Sequence, residues 1–402
     1  MVSSQELFLT LVTMNLPSRL LAAVPASQSI AAAQRARDLI ASGRDIVSTT
    51  IGEPDFPTPP AVIEAAFAAA RDGAPRYTAV PGTPALRAAI AAKFERENGL
   101  AYDPAKEIIV ATGAKQVIYD ALTATLNPGD EVIVFAPYWV SYPTIARLCG
   151  ATPVIVPTRA ENGFVPTADE LRAALTPRTR WVMLNYPNNP TGAVATRAQY
   201  EALAQVLEAH PDVLVLSDEI YEHIRYDDQP FVSFANIGAG MRNRTLVVNG
   251  VSKAYGMTGW RIGYAAGPQP LVAAMTKLQS HITGGASAIG QAAALAALGS
   301  DPALLRERAA QYRARRDLVV ARLAGCARLQ AVEPRGAFYV FVRLLEPGVP
   351  DGRPVDDFLL DHGVAVIAGD GFGAPGWFRI SIATSLGELE RACERIRAAF
   401  PD

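Results

Sequence analysis

Short apolar runs recur along the first two thirds of the chain, and each has the length of one buried strand. They span residues 108–110, 131–135, 181–184, 213–216 and 245–248. Strands that are apolar on both faces are typical of a parallel sheet covered by helices on both sides. The runs therefore predict an α/β fold.

Polar or otherwise unusual residues follow the ends of these runs. They are Gly113, Trp139, Asn189, Asp218 and Lys253. The carboxyl ends of parallel strands lie at one edge of an open sheet, which is where ligands bind. The last three positions are separated by 29 and 35 residues, close to the roughly 30 or more residues of a βαβ unit. We therefore expect all five to converge on one site.

Lys253 carries the most specific chemistry of this group. It follows a buried strand that we expect to end in a turn at Asn249-Gly250. Burial disfavours the ammonium form, and a neutral amine can form a Schiff base with a carbonyl. Arg261 follows in a glycine-rich frame, and arginine binds phosphate through two parallel hydrogen bonds. A lysine that reacts with an aldehyde, beside an arginine that binds phosphate, indicates pyridoxal phosphate.

Other residues fit the same cofactor. Asp218, at a buried strand end, would pair with a protonated pyridine nitrogen. A strand, a small-residue turn and a helix present Gly113, Ala114 and Lys115 to a phosphate. Arg379 lies in an apolar strand and needs a partner, either a substrate carboxylate or a buried structural ion pair.

The run S-K-A-Y-G-M-T-G-W-R-I-G at 252–263 resembles the lysine region of the fold-type I pyridoxal-phosphate aminotransferases, class I and II. It is most similar to the bacterial aspartate aminotransferase subgroup Ib, which includes aspartate/prephenate aminotransferases. The resemblance covers the chain from about Arg19 onward. It implies a large domain with a mostly parallel seven-stranded sheet between helices, a smaller α+β domain, and an internal aldimine on Lys253.

The resemblance also implies roles for residues that no pattern alone would assign. The G-E-P-D-F motif implies that the Gly52 backbone contacts the substrate carboxylate. At a different strand end, the resemblance implies that Trp139 lies on the pyridine ring of the cofactor. Asn189, in Asn-Pro-Thr-Gly, donates to the phenolic oxygen of the cofactor and contacts the substrate. The F-R-I-S motif favours substrate binding by Arg379.

Further residues are expected at the same site. Tyr221 follows Asp218 by three residues and could hydrogen-bond the phenolic oxygen. By resemblance, Tyr77 reaches the phosphate of the neighbouring subunit, so the active unit is a homodimer. Lys115 can engage an acidic substrate side chain, and Ser27 lies near a hydroxyl that contacts substrate. Glu219 and Glu222, on either side of Ile220 and Tyr221, are interpreted as solvated or structural residues.

The expected reaction is a ping-pong transamination between an amino acid and a 2-oxo acid such as 2-oxoglutarate. Aspartate and glutamate are the expected donors. Tyr186 replaces a small serine common in the family, and Ile382 replaces a common tyrosine. Prephenate, aromatic and alanine aminotransferases therefore stay open, as does a carbon–sulfur lyase on the same fold.

The expected division of the chain has four parts. They are an N-terminal extension over 1–16 that could be disordered, a segment over 17–50 that packs on the small domain, a large cofactor-binding domain over 51–290, and a small C-terminal domain over 291–402. Helices are expected over 19–42, 84–98 and 303–324. The G-x-G-x-x-G spacing at 371–376 precedes a strand, not a helix, so a dinucleotide site is not expected.

Composition limits the partners. A net charge of −2 gives no electrostatic reason to expect nucleic acid or an anionic membrane. The three cysteines and four histidines are scattered, so neither a metal site nor a disulfide framework is expected. Residues 1–16 lack the basic start and cleavage site of a signal peptide. We therefore expect a cytoplasmic protein.

Overall fold

The computed structural model describes residues 18–22, 24, 28–73, 75–227, 229–346, 348–350 and 352–401. The predictions for 1–16 and for Ser27 lie outside these residues. The helices are α1 (Arg19–Ala22), α2 (Gln28–Ala41), α3 (Pro60–Arg71), α4 (Pro84–Asn98), α5 (Ala114–Thr125), α6 (Ser141–Leu148), α7 (Ala168–Ala174), α8 (Arg197–Glu208), α9 (Ala239–Arg242), α10 (Gln269–Ile282), α11 (Ala288–Leu298), α12 (Pro302–Leu323), α13 (Val355–Asp361) and α14 (Leu386–Ala399). The strands are β1 (Val47–Ser48), β2 (Ile108–Ala111), β3 (Glu131–Ala136), β4 (Thr152–Pro157), β5 (Thr179–Asn185), β6 (Leu214–Asp218), β7 (Thr245–Gly250), β8 (Gly263–Ala266), β9 (Leu329–Val332), β10 (Tyr339–Leu344), β11 (Val364–Ala365), β12 (Ile367–Ala368) and β13 (Trp377–Ser381).

A seven-stranded sheet forms the centre of the molecule, in the order β2-β8-β7-β6-β5-β3-β4. Only β8 runs antiparallel to its neighbours. Successive side chains alternate between two cores, as the pleat requires. Ile108 and Val110 pack against α3, α4 and α11, whereas Ile109 packs against α5, α6 and α10. The predicted α/β architecture, with a mostly parallel sheet between helices, is confirmed.

A smaller antiparallel sheet follows in the chain, in the order β12-β13-β10-β9. It packs against α12 and α14 in a separate apolar core. The N-terminal segment joins this region through β1, which pairs with β11. The two sheets thus fall on either side of residue 290, although the predicted domain boundaries themselves stay a prediction.

The bounds of helices were predicted well where the sequence has a capping residue. Helix α4 has the predicted bounds, with Pro84 in its first turn and the hydroxyl of Thr83 accepting from the Leu86 N–H. The predicted helix over 303–324 is α12, whose cap is Asp301.

Three local predictions were wrong in detail. Asn249-Gly250 is not a turn, because β8 pairs with both residues and extends β7. The helical pattern over 19–42 is divided between α1 and α2. Asp218 is the last residue of β6 and does not follow it.

None of the described helices is by itself long and apolar enough to cross a membrane. One pair, α11 with α12, meets the length and composition limits together, with an 86° bend between its members.

Candidate active site

The predicted site residues lie along one edge of the central sheet. Strands β3, β5, β6 and β7 are parallel, and β2 runs in the same direction because both it and β7 are antiparallel to β8. All five therefore end at the same edge. The residues at or just past these ends are Gly113, Trp139, Asn189, Asp218 and Lys253.

Lys253 follows β7 and faces the loop that precedes α3. Its Nζ donates a 2.6 Å hydrogen bond to the Gly52 carbonyl. Burial lowers the pKa of Lys253 to about 8, and the cations Arg379 and Arg261 act in the same direction. The carboxylates of Glu53 and Asp218 oppose this shift. An amine with this pKa is partly neutral near physiological pH, as a nucleophile and proton carrier requires.

Asp218 is a buried carboxyl at the end of β6. Its Oδ2 accepts a 2.7 Å hydrogen bond from the Tyr142 hydroxyl, and its Oδ1 accepts from the Ile220 N–H at 3.2 Å. Burial raises the pKa of Asp218 to about 6, whereas these hydrogen bonds and Lys253 lower it. The Asn185 amide donates to the Asp218 carbonyl at 3.0 Å and fixes the backbone of this strand end.

A phosphate-sized cradle lies where β2 enters α5. Gly113 has φ +82°, and a Cβ at this position would clash with the Arg261 guanidinium. A Cβ on Gly263 would meet the Ala114 backbone nitrogen, so β8 packs directly on the first turn of α5. Arg261 itself has the left-handed φ of +56°, which is uncommon for a non-glycine residue and clusters at functional sites. The result is a guanidinium beside a helix N-terminus, a combination that binds anions.

Arg379 is a buried cation with no carboxylate partner among the described residues. Its side chain is 3% exposed, and it donates to Asn189 Oδ1 at 2.9 Å and to the Thr50 carbonyl at 2.7 Å. Within the described residues, its Nε has no partner. A buried guanidinium held only by neutral acceptors retains donor capacity for an incoming carboxylate. The alternative of a structural ion pair with a protein carboxylate has no support among the described contacts.

Lys115 and Trp139 contact each other near Arg261. The Lys115 ammonium lies 4.9 Å from the centre of the Trp139 ring. Burial and the nearby Arg261 lower the pKa of Lys115. No described carboxylate lies within ion-pair distance of Lys115, so this cation is open to an anion from outside the chain.

Four further residues that the sequence singles out lie in different surroundings. The Tyr221 hydroxyl is 2.9 Å from that of Tyr339. Tyr77 is fully exposed on the surface. The Tyr186 hydroxyl donates to the Phe164 carbonyl at 2.8 Å inside a core cluster. Ile382 is buried in the core of the smaller sheet.

Of the two interpretations of Glu219 and Glu222, the structural one is confirmed and the solvated one is wrong, since both side chains are buried. Glu219 accepts from Ser217 and Ser233, and Glu222 pairs with the buried Lys93 ammonium. Glu97 and His223 adjoin the second carboxylate, so three possible metal ligands come together. The Lys93 ammonium already lies among these oxygens, which identifies the group as a buried ion-pair network.

Sequence reasoning missed three residues that touch the site: Tyr142, Asn185 and Tyr339. Each contacts a predicted residue through one hydrogen bond that joins distant parts of the chain. The aromatic run 138–142 and the asparagine at the end of β5 were visible in the sequence. Their partners were not, because only the fold brings them together.

The arrangement fits pyridoxal phosphate. The Gly113–Arg261 cradle suits a phosphate, the buried Asp218 carboxyl suits a protonated ring nitrogen, and Lys253 supplies the amine. Arg379, with its unpartnered Nε, suits a carboxylate on the substrate. The protein is thus a pyridoxal phosphate enzyme of fold type I.

Comparison with known proteins gives the family. Residues 44–396 match the model of aminotransferase class I and II. The aspartate/prephenate aminotransferase of Cereibacter sphaeroides is 48% identical over 388 residues, which cover 94% of this chain and 97% of that protein. The chain belongs to the class I and II aminotransferases, and it is a pyridoxal phosphate-dependent aminotransferase.

Solved structures agree with this assignment. The aspartate aminotransferase of Rhizobium meliloti is 47% identical, with a TM-score of 0.91 over 95% of this chain and 98% of that one. The aspartate aminotransferase of Thermus thermophilus with maleate is 42% identical, with a TM-score of 0.90 over 96% and 100% of the two chains.

Proposed function

We propose that the protein transfers the amino group of aspartate to a 2-oxo acid such as 2-oxoglutarate. The observation that carries the proposal is a pair of cations open to anions, Arg379 and Lys115. A dicarboxylic amino acid has one carboxylate for each. Glutamate shares this chemistry and serves as the second donor, consistent with reversible transfer to 2-oxoglutarate.

Prephenate is the second candidate for the acceptor. It too carries two carboxylates, and the Cereibacter sphaeroides relative is named for both aspartate and prephenate. Tyr186 and Ile382, the two departures from the family pattern, point into apolar cores. They therefore give no reason to prefer an aromatic or alanine donor.

Several residues would hold the cofactor. Gly113, Ala114 and Arg261 would bind the phosphate, Asp218 the ring nitrogen, and Asn189 with Tyr221 the phenolic oxygen. Trp139 would cover one face of the ring. When bound, pyridoxal phosphate supplies an electron sink that makes the α-proton of an amino acid acidic.

The proton is moved by Lys253. Because burial lowers its pKa to about 8, its Nζ can take the substrate α-proton as an amine and would, as an ammonium, deliver it to the C4′ carbon of the cofactor. Arg379 and the Gly52 backbone hold the α-carboxylate during this exchange, which orients the bond to be broken. Lys115 holds the side-chain carboxylate and thereby selects the substrate.

The test of substrate choice is a Lys115→Met variant beside a Lys106→Met control, since Lys106 is exposed on the surface. We expect kcat/KM for aspartate to fall roughly 10- to 100-fold in the first variant, the size of a charged hydrogen bond. The value for alanine, which has no second carboxylate, should change less than about threefold. Equal losses for both donors, or a wild-type protein that does not react with aspartate, would overturn the proposal.

We further propose a homodimer in which Tyr77 reaches the phosphate of the other subunit. Tyr77 is fully exposed and borders a cleft of about 750 Å³ lined by 75–78 and 283–289. Phe67 and Ile282 are also large apolar side chains with more than a third of their surface exposed. Exposed apolar surface of this kind is typical of subunit interfaces.

The three free cysteines support a location in the reducing cytoplasm.

A further inference from the structure

Tyr339, the first residue of β10, lies next to Arg379, Tyr221 and Gly52 of the site. It is completely buried. In the antiparallel pairing of β10 with β13, Tyr339 lies opposite Ser381, which makes Arg379 its diagonal neighbour on the same face. The hydroxyl extends beyond the sheet toward Tyr221 and Gly52.

The ring of Tyr339 supports the Arg379 cation. The guanidinium carbon lies 4.4 Å from the ring centre, closer than the 5.2 Å to the Phe372 ring. A desolvated cation over an aromatic face is strongly attracted to it. Because no described carboxylate pairs with Arg379, this ring adds to the compensation for lost water that the hydrogen bonds to Asn189 and Thr50 provide.

The hydroxyl of Tyr339 acts on a different residue. It lies 2.9 Å from the Tyr221 hydroxyl, and either oxygen can be the donor of that bond. A hydrogen bond between two hydroxyls uses the hydrogen of only one of them. Tyr221 can donate its own hydrogen to the cofactor only if Tyr339 is the donor within the pair. The Tyr339 hydroxyl also explains Gly52, because a Cβ there would lie only 3.0 Å from it.

We propose that Tyr339 is a positioning residue with two separable parts, a ring that orients Arg379 for the substrate carboxylate and a hydroxyl that directs the Tyr221 hydrogen to the phenolic oxygen of the cofactor. This inference rests on the proposed function, since it needs both Arg379 and Tyr221 in the roles given there.

Two substitutions separate the parts. Tyr339→Phe keeps the ring and removes the hydroxyl, whereas Tyr339→Leu removes both. The control is Tyr200→Phe, since Tyr200 is a buried tyrosine whose hydroxyl has no partner in the described part of the chain. Each variant is purified with pyridoxal phosphate, and thermal melting shows which variants fold.

The first readout is the pKa seen in the visible absorption of the cofactor-loaded protein, without substrate. A hydrogen bond from Tyr221 favours the unprotonated chromophore, so weakening it raises this pKa. We expect Tyr339→Phe to raise it by roughly 0.4–1 unit, the worth of one neutral hydrogen bond. Tyr200→Phe should leave it unchanged. An unchanged value in Tyr339→Phe would overturn the role of the hydroxyl.

The second readout is the split between KM and kcat for the amino donor that the wild-type protein uses. KM should rise about tenfold in Tyr339→Leu, which lacks the ring. In Tyr339→Phe, which keeps the ring, KM should stay within about twofold of wild type. Equal KM values in both variants would overturn the role of the ring. Failure of aspartate with wild-type protein counts against the proposed function alone, because Tyr339 is then tested with the donor that reacts.

Discussion

At the scale of single residues, the site depends on charged groups that are held away from water. Lys253 has a pKa lowered to about 8 and Asp218 a pKa raised to about 6, and burial is the first cause of both shifts. Each shift favours the neutral form of its group. Neighbouring hydrogen bonds and charges then decide how far each group departs from its usual value.

Tyr142 is the neighbour that most directly controls Asp218. Its hydroxyl donates to Asp218 Oδ2 and lowers the pKa of that carboxyl, so a Tyr142→Phe variant should raise the pKa. Because a charged carboxylate is needed opposite the ring nitrogen, cofactor binding should be lost on acidification at a higher pH than in wild type. We expect the acid limb of apoenzyme affinity for pyridoxal phosphate to move up by roughly 1–2 units.

The measurement is a titration of the apoenzyme with pyridoxal phosphate between pH 5 and pH 9, a range that runs from about one unit below to about three units above the Asp218 pKa of about 6. Tyr102→Phe is the control, since the Tyr102 hydroxyl is buried without a partner among the described residues. Equal acid limbs in Tyr142→Phe and wild type would show that this hydrogen bond does not set the charge of Asp218.

Residue chemistry was the part of the site that the sequence predicted best. A lysine, a carboxyl and an arginine next to buried strands are unusual enough to be recognised individually. Tyr142 and Tyr339 were not recognisable, because an isolated tyrosine is usually a core residue. Their importance comes from contacts across 76 and 118 positions of the chain.

At the scale of elements, the junction of β2 and α5 has the tightest geometry. Gly113→Ala would place a methyl group against the Arg261 guanidinium. Gly150 has the same φ of +82° and nothing within 4 Å of a Cβ, which makes Gly150→Ala a matched control. Gly150→Ala should lose about 1 kcal/mol of unfolding free energy from its positive φ, and Gly113→Ala roughly 1–3 kcal/mol, because the ψ of +159° at Gly113 places it in a region that is nearly exclusive to glycine.

Only Gly113→Ala should also weaken pyridoxal phosphate binding, by roughly tenfold or more, because the displaced guanidinium loses charged hydrogen bonds. Chemical denaturation and an apoenzyme titration measure the two effects separately. Comparable cofactor affinity in the two variants would remove Gly113 and Arg261 from the phosphate cradle.

Strand positions were predictable because strands buried on both faces leave continuous apolar runs. Their ends were less certain. Asn249-Gly250 has the composition of a turn, yet pairing with β8 keeps both residues extended. Such pairing depends on a strand that comes later in the chain, so a local pattern cannot reveal it.

At the scale of the whole molecule, the two sheets meet in the loop between β1 and α3. Thr50 accepts from Arg379 of the smaller sheet, and Gly52 accepts from Lys253 of the larger one. Asp55 forms a bidentate ion pair with Arg315 of α12. Arg379, expected to bind the substrate carboxylate, and Lys253, expected to move the α-proton, are thus joined through one short segment.

The proposed dimer makes a prediction about mixed subunits. A Lys253→Ala chain and a Tyr77→Ala chain should each have little activity as homodimers at limiting cofactor. In a mixed dimer, one site combines an intact Lys253 with Tyr77 from the other chain. Refolding the two together in equal amounts should therefore restore about a quarter of wild-type activity, since half the dimers are mixed and each has one intact site.

Chains carrying both substitutions, mixed with wild type, provide the control for subunit exchange. If the separate Lys253→Ala and Tyr77→Ala chains exchange subunits and activity stays at the homodimer level, each site uses only residues of its own chain.

Trapping the cofactor on the protein shows whether Lys253 carries it. The sequence holds five lysines, Lys93, Lys106, Lys115, Lys253 and Lys277. Purified protein is incubated with pyridoxal phosphate, reduced with borohydride and mapped by peptide mass spectrometry, with and without prior addition of aspartate. We predict one pyridoxyl group per chain, on Lys253, and its loss when aspartate is added first. A protein without an adduct, or with the adduct on one of the other four lysines, would contradict the account.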